Sequence, residues 1–205
     1  MIIVILLICC AGCSSETSSR VISKRYTKDG VSIRYPALQG ASKTVNSLIK
    51  DEAKKALDYY ANTLNELSLT VGYKIKLLTN AEISIVYSGT AYVKGAAHPN
   101  ALFYTTNINL KTGKKIRLKD FTSVDTAFVD KLKKAAKSQL PPKLFQAFQN
   151  YDDEQLMKYL GSADTLDYGV DNQYDTFSYL MKDSIGISLP VGHAVGDHLE
   201  IEVFR

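Results

Sequence analysis

Three histidines, His98, His193 and His198, are the side chains of this chain best suited to chemistry. His98 lies in the run Gly95-Ala96-Ala97-His98-Pro99-Asn100, and His193 and His198 are five positions apart with Asp197 beside the second. Imidazole exchanges a proton near neutral pH and is a common ligand of Zn²⁺. If the C-terminal strands pair beside the His98 loop, three imidazoles would meet at a metal and serve a metal-dependent hydrolase. The spacing, however, is neither H-E-x-x-H nor H-x-x-x-H. The structural alternative is a His98 that hydrogen-bonds backbone at a tight turn shaped by Gly95 and Pro99. The sequence favours that alternative, so no metal and no other cofactor is expected.

Other chemistries have weaker support. Nucleophilic catalysis needs a nucleophile beside an oriented base, and the many serines include no G-x-S-x-G elbow. The chain is therefore read as not an enzyme. Asp164, Asp167, Asp171 and Asp175 surround Asn172, a density of oxygen that suits Ca²⁺ but lacks EF-hand spacing. A solvated acidic loop is the simpler reading. Lys111, Lys114, Lys115, Arg117 and Lys119 form one basic cluster, and Lys131, Lys133, Lys134 and Lys137 another. Solvated faces account for both, with anionic lipid heads or wall polymers as the alternative partners. A net charge of +4 in 205 residues is too mild to imply nucleic acid. Thirteen Tyr with no Trp are read mainly as sheet residues, with a partner interface as the other use of any that reach the surface.

The amino end reads as an address. Residues 1–12, MIIVILLICCAG, are apolar and uncharged, and are too few for a membrane-spanning helix, which needs about 20. The stretch Cys10-Ala11-Gly12-Cys13 overlaps the end of this run, and a polar run of Ser, Glu and Thr comes after it. It resembles the lipobox of bacterial lipoproteins. The resemblance implies a signal peptide over 1–12, a diacylglyceryl thioether on Cys13, a polar tether over 13–20, and an extracytoplasmic protein whose membrane partner is its own lipid.

The elements that must position the histidines follow from periodicity. Residues 21–35 alternate about a Lys28-Asp29-Gly30 turn and predict a hairpin ended by Pro36. Val45, Leu48, Ile49, Ala53, Ala56, Leu57, Tyr60, Leu64 and Leu67 recur at helical spacing and predict one long helix over about 43–67, capped by Ser42 or Thr44. Strand patterns occupy 71–78, 82–94 and 100–110, with a turn at Lys111-Thr112-Gly113-Lys114 and a short return at 116–118. A helical segment over about 123–160 is broken by Pro141-Pro142. Phe177, Tyr179, Ile185, Ile187, Leu189, Leu199, Ile201 and Val203 alternate as C-terminal strands. The class is α+β, with antiparallel sheets and segregated helices. Of its two subdomains, one covers 21–95 and the other 96–205, with sheets that can be continuous between them.

Three segments then resemble one family. Gly95-Ala96-Ala97-His98-Pro99-Asn100 precedes Asn107-Ile108-Asn109-Leu110-Lys111-Thr112-Gly113-Lys114, Leu118-Lys119-Asp120-Phe121 follows, and Phe177-Ser178-Tyr179-Leu180, Gly186-Ile187-Ser188-Leu189-Pro190 and His193-Ala194-Val195-Gly196-Asp197 come near the end. They are similar to a PdaC-like and RsiV-like domain pair, found in bacterial surface proteins that include a peptidoglycan deacetylase and a lysozyme-sensing anti-sigma factor. The resemblance implies a non-catalytic surface domain that binds an envelope or extracellular protein or glycan. Gly95, His98, Asn100, His193, Asp197 and His198 are the candidate ligand or structural motif. Lysozyme sensing or inhibition is the narrower expectation, and the three-histidine hydrolase the rival.

Overall fold

The structure, a computed structural model, describes residues 20–165 and 175–204. The lipobox and Cys13 therefore lie outside the described residues, as do Asp167, Asp171 and Asn172. The chain is α+β, with a six-stranded sheet in the order β1-β2-β3-β4-β5-β6 and a three-stranded sheet in the order β7-β8-β9. Among the described residues no helix is long and apolar enough to cross a membrane.

Strands β1 (Arg20–Lys28) and β2 (Val31–Gln39) form the hairpin that the Asp29-Gly30 turn predicts. Gly30 has φ +80°, and a Cβ there would lie 2.8 Å from the Leu67 carbonyl oxygen, so both conformation and space require glycine. Pro36 does not end the hairpin. It sits inside β2 opposite Ser23. It is tolerated because β2 meets its second neighbour, β3, only from Val31 to Ile33, so a missing N–H further along interrupts no ladder on that side.

Helix α1 (Lys43–Lys54) is capped by Ser42, whose hydroxyl accepts from the Val45 N–H at 3.2 Å. The expected helix to residue 67 stops early. A single turn, α2 (Ala56–Tyr59), and a 3₁₀ segment at Ala61–Glu66 follow, and Leu67 already opens β3 (Leu67–Leu78). Asp58, Asn62, Thr63 and Asn65 are weak helix formers. Thr63 leaves helical geometry at φ −129°, and pairing with Val93 draws Leu67 into the sheet. Because α1 carries the chain back across the sheet, β3 pairs with β2 in parallel, the one parallel pair in an otherwise antiparallel sheet.

Strands β4 (Glu82–Val93) and β5 (Asn100–Asn109) pair from Glu82↔Asn109 to Ala91↔Asn100, and β6 (Lys114–Lys115) returns against Ile108 and Asn109. Residues 94–99 are the loop that joins β4 to β5, two neighbouring strands of this one sheet. One of its faces packs on α1. The Tyr87 hydroxyl donates to the Ile49 carbonyl at 3.4 Å and that of Tyr104 to the Ala53 carbonyl at 2.6 Å, with the two rings stacked 4.9 Å apart. Period-two alternation puts Ser84, Phe103, Thr105 and Asn107 on the opposite face.

That opposite face carries the second sheet, β7 (Phe177–Leu180), β8 (Ser184–Pro190) and β9 (His198–Phe204). Strand β7 is held to the first sheet by side chains rather than by a ladder. The Leu180 N–H donates to Ser84 Oγ at 2.9 Å, while Thr105 Oγ1 and Asn107 Nδ2 donate to the Ser178 carbonyl at 2.6 and 2.9 Å. The outer face of β8 and β9 is covered by the helical segment: α3 (Leu118–Phe121), α4 (Thr126–Gln139), α5 (Pro142–Phe148) and α6 (Asp153–Gly161). Leu132, Leu156, Leu160, Ile187, Leu199 and Ile201 fill this second core. Leu140 and Pro141 separate α4 from α5, which Pro142 opens, and Asp152 and Gln155 form a capping box at the start of α6. Gln139 closes the outer edge of β9, exchanging hydrogen bonds with both the N–H and the carbonyl of Glu202.

Candidate functional site

The fold brings most of the sequence-predicted site together at the start of β5. The imidazoles of His98 and His193 stack with centroids 3.5 Å apart and planes 9° from parallel. His193 Nδ1 lies 2.9 Å from Asp197 Oδ1, so the carboxylate fixes the ring and leaves Nε2 for other partners. The second oxygen of Asp197 accepts the Ala101 N–H at 2.8 Å, which ties the turn before β9 to the first residues of β5. Asp197 adopts φ 69° to do so, next to Gly196 at φ +114°. Gly95 opens the His98 loop at φ +87°. Asn100 Nδ2 donates to the Tyr60 hydroxyl at 3.4 Å, and burial raises the phenol pKa of Tyr60, against that hydrogen bond.

His198 stands apart from the stacked pair. Its ring packs on Phe103 at 4.6 Å, its Nε2 lies 3.9 Å from Glu200, and its buried Nδ1 has no hydrogen-bond partner. Burial lowers its pKa, opposed by Glu200 and Asp197. Among the described residues no three His, Cys, Asp or Glu side chains gather where they could hold a metal ion. The geometry therefore joins His98 to His193 and Asp197, and directs His198 into a neighbouring cleft.

That cleft, of about 290 Å³, runs along the open end of β5. Tyr59, Tyr60 and Ala56 line it from the α1 side of the sheet, and Pro190, Val191 and His198 from the side of the second sheet, with residues 100–104 of β5 between them. Asp175 and Asp197 also reach it, and no described Lys, Arg, Ser, Thr or Cys lines it. Tyr59 is 59% exposed, whereas Tyr60 is buried.

Asp164 and three residues of the basic clusters are tied into the fold, whereas Lys111, Lys114, Lys119, Lys131, Lys134 and Lys137 are exposed. Asp164 is not part of a solvated acidic loop. It is buried, with its carboxylate accepting from Ser178 N–H (2.6 Å), Ser178 Oγ (2.6 Å), Leu118 N–H (2.8 Å) and Thr105 Oγ1 (3.3 Å). Desolvation raises its pKa above the usual carboxylate range against all four. In the basic clusters, Lys115 pairs with the buried carboxylate of Glu52 at 2.7 Å, Arg117 Nε donates to the Ala163 carbonyl, and Lys133 pairs with Asp153. Sequence reasoning missed the polar set of Ser84, Thr105, Asn107 and Asp164. A trace of it was present in Thr105-Thr106-Asn107, three polar residues in succession inside a strand between Tyr104 and Ile108.

No protein-family model matches the sequence, and no curated protein matches it. Among solved structures the chain overlaps a member of the DUF3298 family from Bacteroides fragilis NCTC 9343 at a TM-score of 0.47, with 14% identity, 91% of this chain and 88% of that one covered. It is similar to a DUF3298 family protein from Pseudomonas aeruginosa PAO1 at a TM-score of 0.51, with 13% identity, 91% of this chain and 89% of that one covered. DUF3298 includes RsiV-like and PdaC-like domains, so the fold found here agrees with the fold that the sequence resemblance implies.

Proposed function

We propose that this chain is a non-catalytic, lipid-anchored surface protein that binds an envelope or extracellular protein or glycan in the cleft beside β5. The observation that carries this reading is the composition of that cleft: aromatic and apolar walls with a few converging polar groups, Asn100, Asp197 and His198 among them. The Asp197–His193 pair resembles the orienting half of a catalytic triad, but the described cleft lining supplies no hydroxyl or thiol of Ser, Thr or Cys for it to activate. Titration of the purified full-length protein with peptidoglycan fragments and secreted proteins tests the reading. Tyr59→Ala and Asn100→Ala are expected to weaken binding at least about fivefold, roughly 1 kcal/mol; unchanged affinity in both would remove the cleft from the account. Lysozyme belongs in that titration at two salt concentrations. For the rival hydrolase, stoichiometric zinc that disappears in His193→Ala would displace the binding reading. Anchoring is tested separately: Cys13→Ser should shift the protein from the membrane to the soluble fraction and abolish incorporation of labelled fatty acid.

A further inference from the structure

The open end of β5 is a strand edge. Leu110 N–H donates to the Ala81 carbonyl, on the β4 side, while the Asn107 carbonyl accepts Ile116 N–H on the β6 side. Successive residues of a strand direct their N–H and C=O to opposite edges. The odd-numbered residues of β5 therefore face away from β4, and the Ala101 N–H, which reaches Asp197 instead of β4, follows the same parity. β6 pairs with only Ile108 and Asn109. The Ala101 carbonyl and both the N–H and the carbonyl of Phe103 are thus turned toward the cleft in strand geometry, with no described strand alongside. The cleft walls agree: Tyr59 and Tyr60 come from one face of the sheet and Pro190, Val191 and Asp197 from the other, so the space between them lies on the edge itself. Asp197 Oδ2 already occupies, at 2.8 Å from the Ala101 nitrogen, the place of a neighbouring strand's carbonyl.

We infer, on the reading of the cleft as the binding site, that its ligand is an extended polypeptide segment of a partner protein that adds as a strand to β5 at Ala101–Phe103. Side chains of such a strand alternate between the two walls. Those on the Tyr59 wall are apolar and those on the Asp197 wall are cationic, because the charged groups of the described lining are carboxylates, with His198 the one group there that can become cationic. A polypeptide fits better than a glycan, because only a strand supplies backbone donors and acceptors at the spacing of the Ala101 and Phe103 groups.

The test uses the full-length protein and a synthetic ten-residue peptide of alternating Lys and Val. Binding should slow exchange of the Phe103 amide at least tenfold. N-methylation of the residues of one parity should weaken binding at least tenfold and methylation of the other parity by less than threefold, and replacing Lys by Glu should weaken it at least tenfold. Equal tolerance of both methylation patterns, or a Phe103 amide that exchanges freely in the complex, overturns strand addition. Equal binding of the Glu peptide overturns the cationic preference. Chitotetraose binding to the cleft without peptide binding overturns the strand proposal and leaves the cleft a ligand site, whereas failure of both probes together with unchanged ligand binding in the Tyr59 and Asn100 variants overturns both.

Discussion

Asp164→Asn keeps the size of the buried side chain and removes one acceptor. Oδ1 serves the Ser178 N–H and Thr105 Oγ1, and Oδ2 serves the Leu118 N–H and Ser178 Oγ. Wherever the new amide nitrogen is placed, it points at one of the two backbone N–H groups and leaves that donor unpaired in the interior. One such orphan costs about 1–3 kcal/mol. Asp164→Ala, which strips both N–H groups, should cost about 3–5 kcal/mol. The pH dependence has a definite sign. Burial holds the folded pKa of Asp164 above its unfolded value, so its contribution to stability is fully present below the unfolded value of about 3.9 and declines as pH rises through the folded one. Asn does not titrate. The gap between wild type and D164N, read from urea unfolding with unchanged m-value, should therefore be widest in acid and narrow toward alkaline pH. A gap of less than about 0.5 kcal/mol in acid, or one that widens as pH rises, refutes the reasoning.

Three further outcomes are expected. At Gly186 an added Cβ would lie 2.0 Å from Tyr179 Cζ, and that ring is pinned by a 2.8 Å hydrogen bond to Glu200 and by Lys76 over its face, so Gly186→Ala should cost about 1–3 kcal/mol in thermal unfolding; an unshifted melting temperature contradicts the packing. Asp197→Ala releases the Ala101 N–H and should speed its hydrogen exchange about tenfold with little global change; unaltered exchange would show that Asp197 does not hold that edge. His198, its folded pKa lowered by burial, contributes stability present above its unfolded pKa of about 6.5 and lost as pH falls through the folded value. His198→Phe should remove that acid-side loss, and an identical pH profile in the variant would assign it elsewhere.

Local chemistry made much of the fold legible. The Asp29-Gly30 turn, the Ser42 cap and the Pro141-Pro142 break are decided by the residues themselves, and the period-two runs mark the long strands. What escaped was decided by neighbours distant in sequence. Tyr60 and Leu67 belong to a buried apolar stripe, as their spacing indicates, yet pairing with β4 converts the end of that stripe into a strand. Pro36 reads as a terminator only until its strand is known to lack a neighbour there. At the site, His98, His193, Asp197 and Asn100 share one place, as the sequence allowed, and His198 diverges because Phe103 and β9 hold its ring. Asp164 looks like one of four loop acids; its donors on Thr105, Leu118 and Ser178 lie 59, 46 and 14 positions away, and no local pattern announces them.

The attachment of β7 also bears on the order in which the chain acquires its shape. A strand normally finds its place by matching a partner backbone that sequence neighbours have already laid down. Strand β7 does so with β8, but the hydroxyls and amide that fix Phe177–Leu180 to the first sheet are 71–96 positions away, and they line up only after β4 and β5 have paired. The C-terminal strands should therefore dock late, completing the molecule after its first sheet has formed. In pulse-labelled refolding, the Leu180 amide should gain protection later than those of β4 and β5.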